Sequence, residues 1–281
     1  MSYRLDRFEM KFVITREVRD RLMPHLLPRL RADENAGEGA FYPIISLYYD
    51  NLARDCYWEK IQGQPSRRKL RVRVYGSLDG SLPPTCFVEV KHKSEGRNVK
   101  RRARMPLECA LTVAAGEPVP LRLKAADKKI VHEVHQLVHQ RHFQPCCYMR
   151  YDRQAFADRD PNSDLRITFD TGIAYRFDKV TPVPDDRDFS EYLHKEGQSV
   201  MEVKVTGAVP YWLTRLLAEQ GCILQSHSKY CNALEAGDPV LRKNLYGGPK
   251  RINMPPLGQD RAATHVDATS TADAHHANVP A

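Results

Sequence analysis

The chain has 281 residues and carries 43 Lys and Arg against 35 Asp and Glu, a formal net charge of +8. That length supports a substantial core in one or two domains, and the charge favours an anionic partner such as nucleic acid, a phosphorylated metabolite, polyphosphate or an acidic membrane surface. No apolar run reaches about 18 residues and no hydrophobic segment lies near the start, which argues against a membrane span and a secretory signal.

The seven cysteines are odd in number and lack Cys-x-x-Cys spacing. They read as reduced thiols of a cytoplasmic protein, not as a disulfide or zinc framework.

In chain order, residues 3–13 read as a first strand, with Arg7, Glu9 and Lys11 on one face and Phe8, Met10 and Phe12 on the other. Thr15 is placed to cap a helix over 16–29, bent at Pro24 and Pro28. A polar, glycine-bearing loop over 33–39 leads into a strand at 42–50, after which Asn51 opens a short helix to Ile61. Strands follow near 68–76, 86–94 and 98–106, a helical turn and loop at 107–118, and a helix over 120–142. Three more strands lie near 147–155, 164–176 and 199–206, and two closing helices at 211–220 and 228–235, the first preceded by Pro210. From Gly247 the composition turns to Pro, Ala, Thr, Asp and His, so 1–246 reads as the folded domain and 247–281 as a disordered tail.

Charge falls on alternate positions in strand after strand. Lys69, Arg71, Arg73 and Tyr75 share one face, and Leu70, Val72 and Val74 the other. The parity returns in 87–93, 100–104, 164–170 and 200–206. An ordinary sandwich shows such alternation on its solvent side. Recurrence and sign favour something else: these faces are cationic, with isolated carboxylates at Glu9, Glu89 and Glu202, whereas solvent faces mix both signs more evenly. The pattern suits an α+β protein built on an eight-stranded antiparallel β-barrel, with helices packed outside and a polyanion held inside.

Arg71 and Arg73, two apart, can each fork onto phosphate oxygens, with Lys91, Lys93, Lys100, Arg102, Arg150, Arg166, Lys204 and Lys229 adding charge from neighbouring strands. Glu202 reads as a salt-bridge partner of Lys204 or as a ligand for the divalent ion that accompanies a triphosphate. His132, His135, His139 and His142 lie on one helical face, which suits an exposed surface or a soft metal. No phosphate-binding glycine loop occurs, and no Ser-His-Asp or Cys-His set stands out, so covalent catalysis has no candidate.

The segments Arg7-Phe8-Glu9-x-Lys11-Phe12, Ser46-Leu47-Tyr48-Tyr49-Asp50, Lys69-Leu70-Arg71-Val72-Arg73-x-Tyr75-Gly76, Val88-Glu89-Val90-Lys91 and Lys100-x-Arg102 occur in this order. They are followed by Tyr148-Met149-Arg150-Tyr151-x-Arg153-x-Ala155-Phe156, Leu165-Arg166-Ile167-Thr168-x-Asp170, Met201-Glu202-Val203-Lys204 and Ser228-Lys229-Tyr230. Together they resemble the VTC domain, the polyphosphate polymerase domain of the vacuolar transporter chaperone complex, over 3–240 and in a stand-alone form.

The resemblance implies a triphosphate tunnel metalloenzyme fold and transfer of the ATP γ-phosphate to a growing polyphosphate chain with Mn²⁺ or Mg²⁺. It implies that Lys11, Arg71, Arg73, Lys91, Lys100, Arg102, Arg150, Arg166, Ser228 and Lys229 line the tunnel and that Glu202 binds the metal. Lys69, Lys93 and Lys204 complete the expected substrate-binding set. The related CYTH-type triphosphatases and class IV adenylate cyclases carry Glu-x-Glu-x-Lys on the first strand; here Arg7 replaces the first Glu, which disfavours water activation. A triphosphatase or polyphosphatase on the same fold, and a non-catalytic polyphosphate-binding module partnering a membrane protein, are the alternatives. Nucleic acid is disfavoured, because aromatics do not interleave with the basic strands as stacking platforms would.

Overall fold

In the computed structural model, residues 7–33, 41–76, 81–94, 97–119 and 122–241 are described. The polar loop after residue 33, the turns at 77–80 and 95–96 and the tail over 247–281 fall wholly or largely outside them.

Along the chain run β1 (Arg7–Ile14), α1 (Arg16–Leu26), β2 (Leu30–Ala32), β3 (Tyr42–Asp50), α2 (Asp55–Ile61), β4 (Ser66–Tyr75), β5 (Thr85–Ser94) and β6 (Arg97–Pro106). Then come α3 (Leu107–Ala114), α4 (Ala125–Arg141), β7 (Gln144–Asp158), β8 (Arg166–Arg176), β9 (Glu191–Tyr192), β10 (Ser199–Thr206), α5 (Tyr211–Glu219) and α6 (Lys229–Gly237). The strands form one antiparallel sheet in the order β1-β10-β8-β7-β3-β4-β5-β6, with β2 added beside β7 and β9 beside β8.

The expected hydrogen-bonded closure of a barrel is not found: β1 and β6 end the ladder, and no pairing joins them among the described residues. Charge gives a physical reason. β6 carries Lys100, Arg101, Arg102 and Arg104 and β1 carries Arg7 and Lys11, and like charges set opposite one another disfavour a ladder. The sheet nevertheless curls until its two ends meet, because Lys91 Nζ on β5 lies 3.8 Å from Glu9 Oε2 on β1.

Alternation decides which side is packed. Phe12, Ile167, Phe169, Met201 and Val203 turn to the convex side, where Leu22 and Leu26 of α1 and Leu213, Leu216 and Leu217 of α5 cover them in one apolar cluster. On the other half, Leu70, Val72, Val88, Val90 and Ala103 are fully or almost fully buried, with α3 and α4 packed alongside β6. Each buried Leu, Ile, Val, Met or Phe among them contributes about 1.5–3 kcal/mol when removed from water. Arg101 has convex-side parity, and it and Arg68 both bond Glu133 of α4.

Local signals account for most boundaries. Thr15 caps α1 by accepting from the Val18 amide at 3.4 Å, and Ser228 caps α6 by accepting from Cys231 at 3.4 Å. The first helix ends at Leu26, short of residue 29, and α4 starts at Ala125, not 120. α2 opens at Asp55, later than expected, because Asp50 and Asn51 spend their side chains on a preceding turn: Asn51 Oδ1 accepts from Asp55 N at 3.1 Å and Asp50 Oδ1 from Cys56 N at 3.1 Å. Arg54 then takes a left-handed φ of 60° before the helix.

α6 sits against the concave side of the sheet. Tyr230 stacks on Tyr48 with ring centroids 5.2 Å apart, and its hydroxyl donates to Asp50 Oδ2 at 2.6 Å. Arg54 grips Asp238 just past the helix through two hydrogen bonds of 2.5 and 3.2 Å, with both side chains buried. Removing one partner strands a buried charge. Asp238→Ala should therefore lower unfolding free energy by about 3–5 kcal/mol, read as a fall in the urea midpoint with the slope unchanged.

Candidate functional site

Register places the charged positions on one face. The β4–β5 ladder pairs Lys69 with Lys91, Arg71 with Glu89 and Arg73 with Phe87. The β5–β6 ladder carries the same face to Lys100 and Arg102. At the other end, β1 pairs Glu9 with Lys204 and Lys11 with Glu202, and β10 pairs Glu202 with Thr168 and Lys204 with Arg166. The Glu9–Lys91 contact brings the two halves together, so these residues surround one concave space.

Most of these cations are held by a specific acceptor. Arg71 Nε and Nη2 donate to Glu89 Oε2 at 2.7 and 2.5 Å, and Nη1 to the Tyr48 hydroxyl at 3.3 Å. Arg73 donates to Ser46 Oγ at 3.2 Å and to Tyr151 OH at 2.9 Å. Lys69 Nζ donates to Ser228 Oγ at 3.2 Å, Lys11 Nζ lies 2.7 Å from Glu9 Oε1, and Lys204 Nζ lies 3.0 Å from Glu202 Oε1. Arg166 pairs with Asp33 at 2.7 Å, and Lys100 Nζ lies 3.5 Å from Glu89 Oε1. Arg102 lies over the Phe87 ring, 4.5 Å from its centroid, and Lys93 shares the face through its β4 and β6 partners.

Arg150 is placed on the other side of the sheet. It pairs with Ile45, which in turn pairs with Val74 of the packed face, and it lines an outer cavity with Asp152, Arg187, Phe189 and Tyr192. The period of two allows only one of Arg150 and Arg153 to face inward, and it is Arg153. That side chain makes two bonds to Asp170 of 2.6 and 2.7 Å, and Lys229 Nζ lies 2.5 Å from the same carboxylate. Sequence reasoning left Arg153, Tyr48, Tyr151 and Asp170 outside the site. Applying the same alternation to Tyr151-Asp152-Arg153 and to Arg166-Ile167-Thr168-Phe169-Asp170 would have found three of them.

The electrostatics follow from crowding. Burial pushes the Glu89 carboxyl up, but Arg71, Arg73 and Lys100 outweigh it and hold the pKa at about 2. Burial likewise opposes ionisation of Asp170, and Arg153 with Lys229 overcomes it, again to about 2. Glu202 is held well below the carboxylate range despite burial, by Lys204, by a hydrogen bond with Glu9, and by Lys11 and Lys229. Burial lowers Lys91 and Lys204, against the pull of Glu9 and Glu202. Burial raises the Tyr48 hydroxyl, yet Arg71, Arg73 and Lys229 bring it below its ordinary value. The cations named on this face outnumber its carboxylates, so it is built to receive negative charge.

Glu9 and Glu202 lie within hydrogen-bonding reach of one another. Their oxygen donors suit a hard divalent ion that draws its remaining ligands from phosphate oxygens and water. Among the described residues no group of three or more His, Cys, Asp or Glu could hold a metal, so the histidine face of α4 offers none. There His139 Nε2 bonds the Gly116 carbonyl at 2.9 Å and His132 bonds Gln136 at 3.1 Å.

A curled antiparallel sheet with helices on its convex side and a cationic concave face defines an α+β protein suited to an extended polyanion. The chain belongs to the VTC domain family, whose model matches residues 6–236. No curated protein matches it. Solved structures similar to it include a candidate adenylate cyclase from Bacillus halodurans, at 12% identity and TM-score 0.43, covering 80% of this chain and 94% of that one. Another, from Vibrio parahaemolyticus and also described as a candidate adenylate cyclase, has 12% identity and TM-score 0.40, covering 80% and 95%.

The depressed Glu89 and Asp170 values carry a pH dependence. A carboxylate with a folded pKa below its unfolded value contributes stability that is fully present above the unfolded pKa and is lost as pH falls through the folded one. Thermal stability should therefore fall between about pH 4.5 and pH 2. Glu89→Gln should flatten that slope in a series of melts across the window, although Arg71 then loses its ionised partner.

Proposed function

We propose that the protein is a metal-dependent polyphosphate polymerase, transferring the γ-phosphate of ATP to a growing polyphosphate chain within a basic tunnel formed by the concave face. The excess of preoriented cations over carboxylates on two sheet halves that meet at Glu9 and Lys91 carries this reading. Family membership supports it.

The chain's residues would act by holding and neutralising phosphate. Glu89, Tyr48, Ser46 and Tyr151 fix the guanidinium planes of Arg71 and Arg73, which keep further N–H donors for phosphate oxygens. Lys11, Lys69, Lys91, Lys93, Lys100, Arg102, Arg153, Arg166, Lys204, Ser228 and Lys229 supply the surrounding contacts. A terminal phosphate oxygen of the chain attacks the γ-phosphorus as the bond to the ADP oxygen breaks, so no protein nucleophile is needed. Positioning and charge neutralisation then carry the catalysis. Mn²⁺ or Mg²⁺, held by Glu202 with Glu9, would neutralise phosphate charge during transfer.

The Glu9–Glu202 contact also favours a second reading, a triphosphatase on the same site, because paired carboxylates can hold a metal that activates water. No described helix is long and apolar enough to cross a membrane. We place the protein in the cytoplasm, with a membrane protein as a candidate partner.

Incubation with ATP and Mn²⁺, followed by a urea gel stained for polyphosphate and parallel assays of ADP and orthophosphate, tests these readings. A ladder with matching ADP, lost in Glu202→Gln, is expected. Orthophosphate without a ladder would make the protein a hydrolase, and neither product would reduce it to a binding module.

A further inference from the structure

A pair of histidines stands at the edge of this space with no role in the scheme above. His194 follows β9 and His227 immediately precedes the Ser228 cap of α6. Their Nε2 atoms are 3.0 Å apart, with ring centroids separated by 5.1 Å. One ring nitrogen donates and the other accepts across that contact, which two neutral rings satisfy with a single proton between them.

Three observations tie the pair to the concave face. Lys11 Nζ donates to the His227 carbonyl at 3.1 Å, and the next two residues are Ser228, bonded by Lys69, and Lys229, paired with Asp170. His227 is only 7% exposed, yet its Nδ1 has no hydrogen-bond partner. A buried polar atom without a partner is costly unless something arrives to meet it. The charged and titratable groups facing His227 are Lys229 from α6, His194, Lys11 from β1 and Asp170 from β8, and Lys229 also faces His194.

We propose that the His194–His227 pair is a proton-accepting phosphate contact: it takes up a proton from solvent when an oligophosphate reaches Lys11, Ser228 and Lys229, and the resulting imidazolium binds that anion. This rests on the tunnel reading above and extends it. With the space empty of anion, Lys11 and Lys229 oppose a further positive charge, and burial together with these lysines takes His227 down to about 3. An oligophosphate reverses the sign of the local field and neutralises both lysines. With His227 donating through Nε2, the added proton goes to its unpartnered Nδ1; the Nε2–Nε2 hydrogen bond survives and the new Nδ1–H gains an anionic acceptor. The same lysines argue against a metal cation bridging the two rings, although a pair of imidazoles could otherwise hold one.

The linkage has a fixed sign. If binding raises the pKa of the pair toward or above neutrality, the complex holds more protons than the free protein, and affinity rises as pH falls. One linked proton gives at most about a tenfold gain per pH unit.

The test is calorimetric titration of the full chain with inorganic tripolyphosphate at pH 7, in buffers of different ionisation enthalpy, with affinities also measured between pH 8 and pH 6. The wild type should take up more protons per anion bound than His227→Gln or His194→Gln, and its affinity should climb more steeply as pH falls. Glutamine keeps hydrogen-bonding capacity without titrating; should His227→Gln fail to fold, His194→Gln gives the same reading. Tight binding with equal proton uptake and equal pH slope in all forms would overturn the histidine proposal and leave the tunnel intact. No binding by the wild type would overturn the tunnel reading itself.

Discussion

Charge recurs on one face of β1, β4, β5, β6 and β10, and this one-sided charge governs the rest of the structure. A strand with cations on alternate residues can bury only one face, so the sheet packs Leu70, Val72, Ile167, Phe169 and Val203 outward under helices. The opposite faces are left to meet each other. Bare, they would repel; Glu9, Glu89, Asp170 and Glu202, each set among two or more cations, make the approach tolerable. Buried ion pairs of this kind add little net stability, but losing one partner is severe. The arrangement is therefore better understood as a receptor for charge than as a device for holding the fold together.

Preorganisation follows from the same pairs. Arg71 and Arg73 do not wave into an open space: each is anchored by acceptors on other strands, so little side-chain entropy would remain to be lost on binding the proposed phosphate ligand. α6 contributes from a different direction. Its start brings Ser228 and Lys229 to the site, while Tyr230, Asp50, Arg54 and Asp238 lock its position. Stability and site geometry therefore meet at this one helix, and damage to the Arg54–Asp238 pair would reach Ser228 and Lys229 as well.

Alternation made much of this legible in the sequence. The strands of the eight-membered path, the inward face of β4 and β5, the Thr15 cap and the basic character of the site all follow from residue types at a spacing of two or from capping chemistry. Closure did not follow, because whether edge strands pair depends on charges brought together only by the curl. β2 and β9, of three and two residues, are too short to leave a periodic signal. Arg150 was misplaced because a run of matching residues around it outweighed the parity of its own strand; the register with Ile45 settles its side. Glu9–Glu202 and His194–His227 join residues far apart in the chain, and nothing in the local sequence announces such pairs.

The central claim is that charged faces from both ends of the sheet form a single anion site. A crystal structure with inorganic tripolyphosphate tests it most directly. The account predicts phosphates in contact with Arg71, Arg73 and Lys91 on one side and with Lys204, Lys229 or Arg153 on the other. Anion bound only at the outer cavity beside Arg150 and Arg187, with the concave face unchanged, would contradict it.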